Sequence, residues 1–270
     1  MQYTPVKTRL GCFFKKYTFL RVVFYKILDL ILLRAWHIHK EINIWAKDKK
    51  EKSLHILDAG AGFGQYAYFL GNLSKKWNIL AVDNETDYVC SCNAFFNQHK
   101  NQNILYRTED LTTFQEAENF DLVLSVDVIE QISEDETVLS NFYNSLKHNG
   151  MLLLAVPSDK NSAGSNNPDN KCFCDEQIRN GYSLAEITKK LKKIGYKDID
   201  VKYTYGKSGE TSWRLSMKYP MMAVGTSRYL FSLLPFYYLI TYPVCFILNM
   251  IDTHRKNIDG NGLLITAWKR

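Results

Sequence analysis

The segment DAGAGFG, Asp58 to Gly64, places three glycines at alternate positions directly after a short apolar run. Gly60, Gly62 and Gly64 present no side chain, so a ligand can approach the backbone at a strand-to-helix turn. A dinucleotide fold calls for G-x-G-x-x-G. Here the spacing is G-x-G-x-G, and Gln65 stands where the third dinucleotide glycine would be. Asp83 closes the next apolar run, 25 residues after Asp58. A carboxylate at that position can accept hydrogen bonds from both ribose hydroxyls. The combination fits a nucleoside ligand without a pyrophosphate. Other candidates are weaker. Cys90, Cys92, Cys172 and Cys174 form two C-x-C pairs, tighter than zinc sites use, and no metal is expected. His37 and His39 diverge on a helix.

The elements that must position these residues alternate. LHILDAG, WNILAVD, NILYRTEDL, FDLVLSVDVIEQI and MLLLAVPS read as five strands. GQYAYFLGNL, ETDYVCSCNAFFNQH and ETVLSNFYNSLKHNG read as helices between them, the last closed by Gly150. Such alternation predicts a parallel sheet covered on both faces. A long polar loop, residues 158–181, precedes a helix with a capping box, Ser183 and Glu186, that Gly195 ends. KDIDVKYTYG is a sixth strand and GLLITAWKR a seventh. The fold expected is α/β and Rossmann-like, with seven mostly parallel strands and an antiparallel last one. Upstream, Leu20, Phe24, Ile27, Ile31, Ala35 and Ile38 make an amphipathic helical stripe within residues 13–45. Lys15, Lys16, Arg21, Lys26, Arg34 and Lys40 lie off it, which fits a core-packed helix or one on a membrane surface. The units expected are a helical region at 1–52, a core at 53–206, an apolar insertion at 207–258 and the final core strand at 259–270.

These motifs, in this order, resemble the class I S-adenosylmethionine-dependent methyltransferases over about residues 54–206 and the final strand. ILDAGAGFG resembles their first motif, LAVD the second, EDL the third and FDLVLSVDVIEQI the fourth. The resemblance implies S-adenosylmethionine as cofactor. Asp58, Gly60, Gly62, Gly64 and Gln65 would line its methionine part, Asp83 would bind the ribose, and Asp110 with Leu111 would hold the adenine. Many relatives read D-V-x-E-H after strand four. Here Gln131 replaces the histidine and cannot act as a base at neutral pH. Asp127, at the tip of strand four and beside the cofactor, and His254 are then the candidate bases.

Residues 229–251, YLFSLLPFYYLITYPVCFILNMI, run 23 residues without a formal charge. The length suffices to cross a bilayer. A single crossing would strand the seventh strand on the wrong side, so the segment must leave and return on one side. Pro235 and Pro243 favour a broken helical hairpin, and Arg228, His254, Arg255 and Lys256 flank it with positive charge. Six cysteines without a secretory signal, and a net charge of +6, suit a cytoplasmic protein at the membrane face, peripheral or monotopic. The lysine runs read as solvated faces, with no nucleic-acid-binding module. The expected activity is methyl transfer to an apolar small molecule or lipid, such as a quinone, isoprenoid or aromatic precursor. The rivals are an inactive cofactor-binding scaffold and an enzyme acting on a membrane-associated protein.

Overall fold

The computed structural model describes residues 18–99, 101–160, 179, 181–226 and 232–270. Most of the polar loop with Cys172 and Cys174, the first residues of the N-terminal helical region with Lys15 and Lys16, and the start of the apolar stretch with Arg228 lie outside these residues. Seven strands form one sheet in the order β3-β2-β1-β4-β5-β7-β6. They are β1 (Leu54–Ala59), β2 (Trp77–Asp83), β3 (Ile104–Thr108), β4 (Phe120–Val126), β5 (Leu146–Pro157), β6 (Lys197–Thr204) and β7 (Gly262–Trp268). The first five are mutually parallel, and β7 lies antiparallel between β5 and β6. The expected α/β sheet is present.

The sheet's two faces explain its apolar runs, since a strand covered on both sides has no polar face to show. On one face Ile56, Ile79, Ala81, Leu122, Leu124 and Leu153 meet Tyr25, Ile38, Ile42 and Trp45. The latter four come from α1 (Thr18–Ile31) and α2 (Leu33–Trp45), joined there by α3 (Gln65–Leu73) and α4 (Thr86–Gln98). The alternate residues Leu57, Leu80, Val82, Val123, Leu152 and Ile265 form the second core. It lies against α5 (Asp135–Ser145) and α6 (Leu184–Ile194). Ser183 caps α6 by accepting the Glu186 N–H at 3.0 Å, as its sequence predicts.

Three expectations need correction. The N-terminal stripe is two helices, broken at Leu32, which takes an extended conformation. Within it Arg21 is buried rather than facing outward. The helix before β5 ends at Ser145, not Gly150. Leu146 is fully buried, extended and paired with Phe120, so the strand begins there and Asn149 absorbs an irregularity at φ 64°. The apolar stretch is not a broken hairpin over the residues described. Leu234–His254 is one helix, α9, which starts with Pro235 in its first turn and continues through Pro243. Its antiparallel companions are α7 (Lys207–Trp213) and a π-turn at Arg214–Lys218, which leads into α8 (Tyr219–Thr226). Tyr237 and Tyr238 hydroxyls donate to the Leu215 and Ser216 carbonyls, each at 2.7 Å, and lock α9 to that turn.

Candidate cofactor and acceptor site

The glycine turn leaves the carboxyl end of β1, where Gly60 and Ala61 N–H groups both donate to the Val82 carbonyl of β2. Gly60, Gly62 and Gly64 all have positive φ, at 75°, 49° and 85°. A Cβ on Gly60 would lie 2.3 Å from a Val128 methyl, so backbone and close approach both demand glycine. At Gly62 a Cβ would meet nothing within 4 Å, so the turn there faces open space. The turn is held from behind by the N-terminal helix. Arg21 donates to the Phe63 carbonyl at 2.9 Å and to Tyr25 at 2.7 Å, and the Tyr25 hydroxyl also donates to the Phe63 carbonyl.

Asp83 receives the Gly62 N–H at 2.8 Å on one carboxylate oxygen and the Glu85 N–H at 3.0 Å on the other. Each oxygen keeps a lone pair for a further donor. Asp58, beneath the turn, is buried, and its Oδ2 has no partner. Burial, with the Asp83 charge adding to it, pushes the Asp58 carboxyl up to about 7, despite the Ala67 N–H it accepts. Asp110 is exposed at the end of β3, its Oδ1 accepting the Thr112 N–H and hydroxyl at 2.8 Å, and Leu111 is buried in the second core. The Gln65 side-chain amide donates to Asp29 of α1 at 2.7 Å.

At the tip of β4, Asp127 has φ 55° and pairs with Arg34 of α2. Gln131 donates its side-chain amide to the Asp127 carbonyl at 2.7 Å. His254 does not join this group in any contact among the described residues. It is exposed at the last turn of α9, with Nδ1 at 2.9 Å from the Met250 carbonyl. Two residues at the site were not singled out from sequence. Arg34 bridges the N-terminal helices to the β4 tip. Glu130, in the 3-10 turn Ile129–Gln131, is fully buried with both carboxylate oxygens unpartnered. Desolvation pushes its carboxyl up to about 7, against its own backbone N–H and the opposing pull of Arg34. The signal available for Glu130 was a carboxylate directly after an apolar strand, where solvent is excluded.

Residues 57–154 match the family described as a methyltransferase domain. A malonyl-[acyl-carrier protein] O-methyltransferase of Bacillus anthracis is 26% identical over 104 residues, 38% of this chain and 38% of that protein. The match thus spans well under half the length of that relative. Among solved structures, phosphoethanolamine N-methyltransferase 2 of Haemonchus contortus, in complex with S-adenosyl-L-methionine, superposes with a TM-score of 0.59. The identity is 17%, and 91% of this chain and 60% of that one are covered. The [4+2]-cyclase SpnF superposes with a TM-score of 0.55 at 13% identity, covering 85% of this chain and 80% of that one. The shared architecture therefore hosts more than one chemistry. By its motif order, its strand order and the matched region, the chain carries a class I S-adenosylmethionine-dependent methyltransferase domain.

Proposed function

We propose that the chain is an S-adenosylmethionine-dependent methyltransferase that works at a membrane surface on an apolar small molecule such as a lipid, quinone, isoprenoid or aromatic precursor. The residues at the glycine turn fit the cofactor. The unpartnered Asp58 Oδ2 suits the ammonium of an amino-acid moiety, and the free lone pairs of Asp83 suit ribose hydroxyls. The turn beside Gly62 leaves the room such a ligand needs. Bound there, the cofactor supplies a methyl group already activated by a sulfonium. The chain's own contribution is then to hold the acceptor in line and exclude water. Asp29, Arg34 and their helices, bonded to Gln65 and Asp127, form a cover over that edge of the sheet.

One observation carries the membrane and apolar-substrate reading: α9 is inside out. Its buried positions include Asn249, Asp252 and Thr253, which face the protein. Asp252 bonds His37 of α2 at 2.9 Å and the Gly209 N–H of α7 at 3.1 Å. Phe236, Leu239, Ile240, Val244, Ile247 and Ile251 recur at helical spacing and are exposed. A water-facing helix would show the reverse pattern. The helix is 21 residues long and apolar, yet only 11% of its apolar window is buried. Its ends are tied to the same body, through Tyr237 and Tyr238 at one end and Lys40 donating to the Thr253 carbonyl at the other. This supports a helix lying in the membrane interface rather than crossing it, with Arg255 and Lys256 at its end for anionic headgroups.

The test is label transfer. Purified protein, methyl-labelled S-adenosylmethionine and lysate from cells lacking the protein are incubated, then separated into organic, aqueous and protein fractions. Label in the organic fraction is expected. Label confined to protein or water, or cofactor binding without any turnover, refutes the reading.

A further inference from the structure

We propose that Glu130 is the proton acceptor of the reaction, and hence that the acceptor molecule offers an O–H or N–H group to it. This rests on the methyl transfer proposed above. Glu130 follows β4 by four residues, at the carboxyl edge where open α/β sheets bind their ligands. It is fully buried, and neither carboxylate oxygen has a hydrogen-bond partner on another residue. A buried carboxyl without a partner is costly to keep, so its persistence at a ligand-binding edge points to a donor that arrives with substrate.

The other candidates are placed less well. Asp127 is ion-paired with Arg34 through Oδ2 and has one oxygen, Oδ1, without a partner, whereas Glu130 has no ion pair to another side chain among the described residues. The Gln131 amide is turned onto the Asp127 carbonyl. His254 is exposed on the far end of α9 from Pro235. The charged and titratable groups around Glu130 are few. Arg34 of α2 and Asp127 of β4's tip lie on one side. Tyr182 lies on the other, its hydroxyl directed to Asp135 at 2.8 Å, where Lys190 and Arg179 also pair. The Arg179 backbone N–H donates to the Glu130 carbonyl at 3.3 Å, so the Glu130 main chain has a partner where its carboxylate has none. Burial holds the carboxyl near neutrality, where a base has both the right form and useful strength.

The step balances. The acceptor's X–H proton passes to the Glu130 carboxylate as the X–C bond forms. The S–C bond breaks with its electron pair remaining on sulfur, which becomes the neutral thioether of S-adenosylhomocysteine. Glu130 then loses its proton to solvent on product release.

The experiment compares calorimetric affinities for S-adenosylmethionine and S-adenosylhomocysteine from pH 6 to pH 8. Both ligands carry the same ammonium, so its effect on Asp58 cancels in their ratio, and Asp58→Asn reads out what the sulfonium adds there. Only the sulfonium differs, and it favours an ionised Glu130. The ratio should therefore rise with pH through 7, by about tenfold for one unit of coupling. Glu130→Gln should flatten it, while Glu134→Gln, at an exposed neighbour, should not. A flat ratio in the unaltered protein, or a rise that survives Glu130→Gln, overturns the assignment. The first arm needs no variant, so a Glu130→Gln protein that fails to fold leaves the test intact. Where label reaches the organic fraction, Glu130→Gln should also remove the limb near pH 7 from the rate profile. Absence of any labelled lipid would count against the proposed substrate class, whereas a flat ratio would count against Glu130 alone.

Discussion

Replacing Leu239 and Ile240 with serine separates a lipid-facing helix from a merely exposed one. Both side chains are 76% exposed. Full burial of such a side chain is worth ~1.5–3 kcal/mol, so three-quarters of it is about 1–2 kcal/mol each. The pair then contributes about 3 kcal/mol to insertion, which at ~1.4 kcal/mol per tenfold is about 100-fold in partitioning. In water the same substitutions touch no core and should alter unfolding free energy by no more than about 0.5 kcal/mol each. The assay is co-sedimentation with sucrose-loaded vesicles of phosphatidylcholine and phosphatidylglycerol, alongside urea denaturation of the vesicle-free protein. The expected result is loss of the protein from the vesicle pellet with unchanged denaturation. Undiminished pelleting would refute lipid contact. A stability loss of about 2 kcal/mol or more, or a smaller particle on sizing, would show that protein, not lipid, covers this face.

Three further outcomes follow from the glycine turn and its carboxylates. Gly60→Ala sets a Cβ 2.3 Å from Val128 at φ 75°, so thermal melting should fall by an amount equivalent to about 2 kcal/mol or more, with cofactor binding lost. Asp83→Ala removes the acceptor of the Gly62 N–H and, on the proposed cofactor site, that of the ribose, and calorimetry should show cofactor affinity reduced by about 10- to 100-fold. Asp58 and Glu130 each have a folded-state carboxyl raised to about 7, from ordinary values of 3.8 and 4.5. The folded protein therefore binds more protons than the unfolded chain between about pH 4 and 7, and this part of its stability falls as pH rises through that window. Asp58→Asn should raise the ligand-free melting temperature at pH 8 while weakening cofactor binding.

The sheet was legible because each strand is short, apolar and followed by a turn or helix, and because Asp58 and Asp83 end their strands where a ligand would sit. The register of the two cores follows from the same alternation. What escaped was set by contacts between residues far apart in the chain. Arg21 reads as a surface cation until the carbonyl of Phe63 and the Tyr25 hydroxyl give its guanidinium partners. Arg34 reads likewise until Asp127 is folded against it. Leu146 looks helical locally, but its pairing with Phe120 outweighs propensity. Pro243 looks like a break. It removes one backbone hydrogen bond, and the turn persists because α7 and the π-turn anchor both sides of it, through Cys245 and Tyr238.

The placing of β7 also orders events during synthesis. Strand β7 enters between β5 and β6, yet it follows α7, α8 and α9 in the chain. On the ribosome, α9 therefore emerges while the sheet still has a gap at its sixth position, and β6 has no neighbour to pair with until β7 arrives. An apolar helix that finds the bilayer at that stage would be parked there, out of reach of the open strand edges it could otherwise cover. On the proposed membrane contact, the bilayer would act as a holding surface for the nascent chain as well as a seat for the finished one.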